Sequence, residues 1–161
     1  MAKRLTAVIF IGIFLALNIE ATMVSFFVIE TGLSRNGVMS QQHSQQWENA
    51  FLDEFFNAGF IVSNTPILRL DSKPSARMED FAIRDLDIAR EGGADFLIVA
   101  QLDYIDDSPL PGEISLFLFR VTPVRIIHER RMPGKTYRSD REEFDDLKTI
   151  VRGLIPFLRA R

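Results

Sequence analysis

The chain contains no cysteine, only two histidines and a single tryptophan. Without cysteine there are no disulfides, no thiolate metal sites, no cysteine nucleophile and no lipid-bearing amino-terminal cysteine. Two isolated histidines, His43 and His128, are too few for a histidine-rich zinc site. Charge of one sign is also scarce: 19 Lys and Arg stand against 22 Asp and Glu, a net charge of -3. The positive residues are scattered, so the broad basic footprint that nucleic acid requires is missing, and nucleic acid is not an expected partner. The usual catalytic signatures are missing too: there is no G-x-S-x-G elbow, Walker loop, H-E-x-x-H or G-x-G-x-x-G. These gaps predict a protein that is not an enzyme and uses no cofactor.

What is present is the composition of a globular protein, 47% hydrophobic and 25% charged, in a length of 161 residues that suits one ordinary domain. The first 21 residues, "MAKRLTAVIFIGIFLALNIEA", carry Lys3 and Arg4 ahead of an apolar run from Leu5 to Leu17. That is the pattern of an export signal, with a cut after Ala21. The alternative is an uncleaved anchor, since a second apolar run, "MVSFFVI", follows at once; Asn18 and Glu20 would then lie in the membrane at a cost. Residues 22–161 form the expected single domain, periplasmic or secreted if the signal is cut and held at the inner membrane if it is not.

Within that domain "TMVSFFVIETGL" reads as a strand whose nearly continuous apolar residues suit a sheet covered on both faces. The polar stretch from Ser34 to Gln46 is expected as a loop, followed by a helix from Gln45 to Ala58. Its apolar face is expected to carry Trp47, Phe51, Leu52, Phe55 and Phe56, and Gly59 to stop it. "FIVSNTPILRL" is the next extended segment, a strand that either ends before Pro66 or lies at an edge. "SKPSARMEDFAIRDLDIAREGG" predicts a second helix, "ADFLIVAQLDYI" a strand, and "EISLFLFRV" with "VRIIHERR" a hairpin or one bent strand. Ser139 and Glu142 fit a capping box that opens a last amphipathic helix, in which Pro156 predicts a kink. The order β-α-β-α-β-β-β-α predicts a mixed α/β fold, a mixed parallel and antiparallel sheet of about five strands packed with about three helices.

Site candidates are few. Asp103, Asp106 and Asp107 follow the apolar run Phe96 to Ala100, and carboxylates at a strand's carboxyl end can gather a ligand or a divalent cation. Their spacing matches no calcium loop, and turn-forming Asp before Ser-Pro explains them as the solvated exit of a buried strand. No metal is therefore expected. Glu30, at the end of the first strand, could approach Asp103 if the two strands pair in parallel, which is the two-carboxylate arrangement of acid-base catalysis. His43 lies among glutamines with no evident partner, and the arginines near the end, Arg152, Arg159 and Arg161, suit a helix C-terminus. Arg130, Arg131, Lys135 and Arg138 make a modest basic loop with possible peripheral membrane contact.

The helix "WENAFLDEFFNAGF", the phrase "AREGGADFLIVAQL", the hairpin and the last helix, taken with the export signal, form a familiar set. It resembles the small α/β domains of bacterial envelope proteins such as the amino-terminal domain of TolB, the curli-secretion lipoprotein CsgG and the LpoB-type activators of cell-wall synthases. The points of likeness are Gly59 to Val62, where a helix-ending glycine leads into a strand, and Gly93 to Ile98, a G-A-D-hydrophobic strand start. The chain departs from the lipoprotein members in lacking their cysteine. The resemblance implies a non-catalytic domain that binds another cell-envelope protein. The alternatives are a small metal-dependent hydrolase using Glu30 with Asp103, Asp106 and Asp107, and a solute- or glycan-binding module.

Overall fold

The structure is a computed structural model that describes residues 21–32, 38–70, 78–105 and 108–160, with side chains of 38–41 and 78–84 left aside. Residues 1–20 of the expected signal segment and the residues Asp106, Asp107 and Arg161 lie outside the described residues. The elements are β1 (Met23–Thr31), α1 (Val38–Asn57), β2 (Ile61–Asn64), β3 (Leu68–Leu70), α2 (Met78–Glu91), β4 (Phe96–Tyr104), β5 (Pro111–Arg120), β6 (Arg125–Pro133), α3 (Asp140–Arg152) and α4 (Ile155–Arg159).

The sheet order is β2-β1-β4-β5-β6, with β3 also on β1. β1 pairs in parallel with β2, β3 and β4, and the β4-β5-β6 meander is antiparallel. The mixed α/β sheet expected from the element order is therefore present. It has six strands rather than about five because Pro66 splits "IVSNTPILRL" into β2 and β3. Asn64 pairs with Phe26 but Leu68 with Ile29, so four residues along the edge match three on β1 and the edge bulges at Pro66.

Alternation divides the core. Val24, Phe26 and Val28 of β1, with Ile98, Ala100 and Leu102 of β4, face α1, α3 and α4; Phe27, Ile29, Leu97 and Val99 face α2. Every residue of β4 is buried: the apolar run Phe96 to Ala100 predicted this for the first five, and Gln101 and Asp103 are buried as well. On α1, Trp47, Phe51 and Phe55 recur every fourth residue and are fully buried, their rings stepping along the helix at centroid spacings of 5.6 and 5.7 Å. Each such side chain contributes about 1.5–3 kcal/mol by burial.

Three helix readings need correction. α1 starts at Val38, two turns before the expected Gln45, although "VMSQQHS" has no apolar period. Leu52 and Phe56 do not join the core: they are 39% and 75% exposed, because their positions turn about 100° away from the stripe of Trp47, Phe51 and Phe55. The last helix does not merely kink at Pro156. It stops at Arg152 and restarts at Ile155, with Gly153 capping α3 and Pro156 in the first turn of α4.

The capping box at Ser139 is present: its Oγ accepts the Glu142 N–H at 3.2 Å, while the Glu142 carboxylate takes the N–H of Arg138, one residue earlier than the usual partner, at 2.9 Å. Among the described residues no helix is long and apolar enough to cross a membrane.

Candidate functional site

The carboxyl ends of β1 and β4 lie side by side, so the strand pairing that Glu30 and Asp103 required does form. Their register does not bring the two carboxylates together. Glu30 is paired with Leu102 and Asp103 with Thr31, and a one-residue offset in a pleated sheet sends side chains to opposite faces. Glu30 thus enters the face covered by α1 and α3, while Asp103 enters the face that bears α2. Nor is Asp103 in a solvated turn: it is 5% exposed and inside β4, where its Oδ1 accepts the Thr31 hydroxyl and, at 2.6 Å, the Gln101 amide.

Glu30 is wholly buried, and an ionised carboxylate survives there only if neighbours replace water. Two do. The Ser44 hydroxyl of α1 donates to Oε1 and the Arg69 guanidinium of β3 donates through Nε to Oε2 at 2.7 Å. Arg69 is half-exposed, so Glu30 holds a surface cation against the edge of the sheet. Ser44 sits in the two turns of α1 that sequence periodicity missed, and the hydroxyl explains them: these turns are held by polar contacts rather than by an apolar stripe.

His43, beside Ser44, is corrected in the same way. Its Nδ1 lies 2.6 Å from Oε1 of Glu143, a buried residue in the first turn of α3. That turn carries Asp140, Glu142 and Glu143, and the positive end of a helix dipole favours acids there. Tyr104, last residue of β4, is 5% exposed, and its hydroxyl has no hydrogen-bond partner among the described residues. Burial, followed by the nearby charges of Glu30 and Glu143, raises the phenol above its ordinary value, so it stays neutral. Gly32, which ends β1 at φ 72°, passes so close to the Tyr104 carbonyl oxygen that a Cβ there would collide with it.

Above this layer is a cleft of about 230 Å³ between the start of α1 and the segment that leads into α3, lined by Gln42, His43, Leu110, Thr136, Tyr137, Arg138, Ser139, Asp140 and Glu143. Tyr137 donates to Asp146 at 2.9 Å and Lys135 to the same carboxylate at 3.1 Å, which fixes one wall. Among the described residues no three histidine, aspartate or glutamate side chains come together as a metal site.

A family model described as "Uncharacterised protein" matches residues 28–114, more than half of the chain. No curated protein matches the sequence. Among solved structures the chain is similar to the PelC dodecamer protein of Paraburkholderia phytofirmans, with 13% identity, 88% of this chain and 90% of that one covered, and a TM-score of 0.49. TolB from Acinetobacter baumannii shows 11% identity over 88% of this chain and 29% of that one, with a TM-score of 0.48. The lipoprotein GNA1162 from Neisseria meningitidis shows 10% identity over 84% of this chain and 96% of that one, with a TM-score of 0.46. Likeness at this level says nothing about activity or partner. By the match over residues 28–114, the chain belongs to that family of uncharacterised proteins.

Proposed function

We propose that this is a non-catalytic domain of the bacterial cell envelope that binds another envelope protein at the polar end of its sheet. The observation that carries the reading is the state of the buried carboxylates there. Glu30 is held by Ser44 and Arg69, Asp103 by Thr31 and Gln101, and Glu143 by His43. Acid-base chemistry needs a carboxylate that faces a substrate, and these three face their own neighbours.

The cleft beside them, at about 230 Å³, is smaller than the roughly 300–1,000 Å³ typical of small-molecule sites, and all its lining residues except Leu110 carry a polar or charged group. It suits one or two side chains of a partner, with Arg138 and Asp140 offering both signs of charge at its rim. The envelope location is supported by the basic and apolar start of the sequence.

Cross-linking in intact cells, followed by purification of the full chain, tests this. One envelope protein should be recovered repeatedly with the native chain and lost with Thr136→Lys combined with Arg138→Glu. Recovery of the same protein undiminished by that double change, or of a cytoplasmic protein only, would contradict the reading.

A further inference from the structure

At the opposite end of the sheet the polarity reverses. Asn49, Leu52, Asp53 and Phe56 recur along α1 at steps of three, one and three, and with Phe60, Ile61 and Val62 they line a groove of about 650 Å³. Phe56 is 75% exposed, Ile61 51% and Leu52 39%, a cluster of apolar surface in one place rather than scattered single residues. We propose that this groove and its rim are a lipid-facing surface, on which the domain rests against a bilayer.

Three observations favour a bilayer over another occupant. The first is where the chain enters the fold. Ile61, in the groove, pairs with Met23 and donates its N–H to the Thr22 carbonyl at 3.0 Å, so the chain reaches β1 immediately beside the groove. The segment before it has Lys3 and Arg4 followed by the apolar run Leu5 to Leu17. If that segment is kept as an anchor, it leaves the domain from this end.

The second is charge. Asp53 is paired with Lys148, and Glu54 with Arg152 at 2.8 and 2.9 Å, so these two acids of α1 are neutralised and do not repel anionic headgroups, while Glu48, one turn earlier, is bonded to Asn64. Arg159 stays exposed, its guanidinium 6.0 Å from the centre of the Phe60 ring and bonded to the Ala58 carbonyl. Aromatic and aliphatic side chains with an arginine at their border match the chemistry of a headgroup boundary, where the stem lies in the apolar layer and the charge in the polar one.

The third is the sheet edge. A protein partner adding a strand would pair with β2, but β2 has four residues and ends at the Pro66 bulge, which limits strand addition. This surface is distinct from the polar cleft, so the two proposals stand or fall separately.

Because the chain has no cysteine, single labels report unambiguously. Phe56→Cys and Ile61→Cys place an environment-sensitive fluorophore in the groove. Ile105→Cys, 57% exposed just past β4, places it at the other end of a nine-residue strand, about 30 Å away. The full chain is put into nanodiscs of phosphatidylcholine and phosphatidylglycerol containing a lipid-borne quencher. The labels at 56 and 61 should be quenched several-fold more strongly than the label at 105. Equal quenching at all three positions would overturn the proposal. So would labels at 56 and 61 that are shielded from water but not quenched by lipid, since a second copy or a protein partner would then be the occupant.

Discussion

The two ends of the sheet solve opposite problems. At the carboxyl ends of β1 and β4 the charged groups Glu30, Asp103 and Glu143 are buried, and each is bound by a neighbour. Where the chain enters β1, the apolar groups Leu52, Phe56 and Ile61 are exposed, and the acids nearby are paired on the surface. Burying a carboxylate costs stability unless it is compensated, and exposing a phenylalanine forgoes stability that burial would provide. The polar end therefore contributes rigidity around a small cleft, while the apolar end keeps a surface that the fold itself does not need.

The largest test of that difference is Arg69→Ala. It strips Glu30 of its cation and leaves a buried charge held, among the described residues, by Ser44, so denaturant unfolding should show a loss of about 3–5 kcal/mol. Glu30→Gln, which keeps a hydrogen-bonding oxygen and frees only the half-exposed Arg69, should cost clearly less. Equal losses would mean that the pair acts through shape rather than charge.

Gly32→Ala should cost about 1–3 kcal/mol, because the residue has a positive φ and a Cβ would meet the Tyr104 carbonyl. A glycine with open space at a similarly positive φ provides the control: Gly59, at the apolar end, has nothing near its Cβ position, so Gly59→Ala should cost less under the same thermal melt.

Tyr104→Phe removes a hydroxyl with no partner among the described residues and should leave stability unchanged or raise it by up to about 1 kcal/mol. A loss of that size or more would show that the hydroxyl is satisfied in solution, and the polar end would then be wetter than described.

Acid gives the smallest effect. Burial pushes the Asp146 carboxyl up, but the hydrogen bonds from Tyr137 and Lys135 outweigh it and hold the group below the ordinary range. Its folded value being depressed, the stability it contributes is present above the unfolded value of about 3.9 and is lost as pH falls through the folded value. Asp146→Asn should therefore flatten the decline in stability below about pH 4, measured by denaturant midpoints across that range.

Much of this was legible in the sequence where one force dominates locally. β4 opens with the apolar run Phe96 to Ala100 after Gly92-Gly93, and that run is buried throughout. That the early strands pair in parallel followed from the helices between them, and the antiparallel meander from short connections, while the order that sets β1 beside β4 did not. Legibility failed where tertiary contacts decide. The first turns of α1 have no apolar period; Ser44 and His43 are held by Glu30 and Glu143, 14 and 100 residues distant along the chain.

Face assignment failed for a related reason. That Glu30 and Asp103 lie near strand ends could be read, but strand order could not, and even with β1 beside β4 whether they meet depends on a register of one residue, which alternation cannot supply across two separate strands. Phe56 was grouped with the core because five apolar residues crowd a helix whose buried stripe accepts only three of them.

The most direct test of the two-ended account places a photo-crosslinking residue at Thr136, by the cleft, or at Phe56, by the groove, in the same cells. The account predicts protein adducts from position 136 and lipid adducts without protein from position 56. Protein adducts from position 56, with none from position 136, would contradict it.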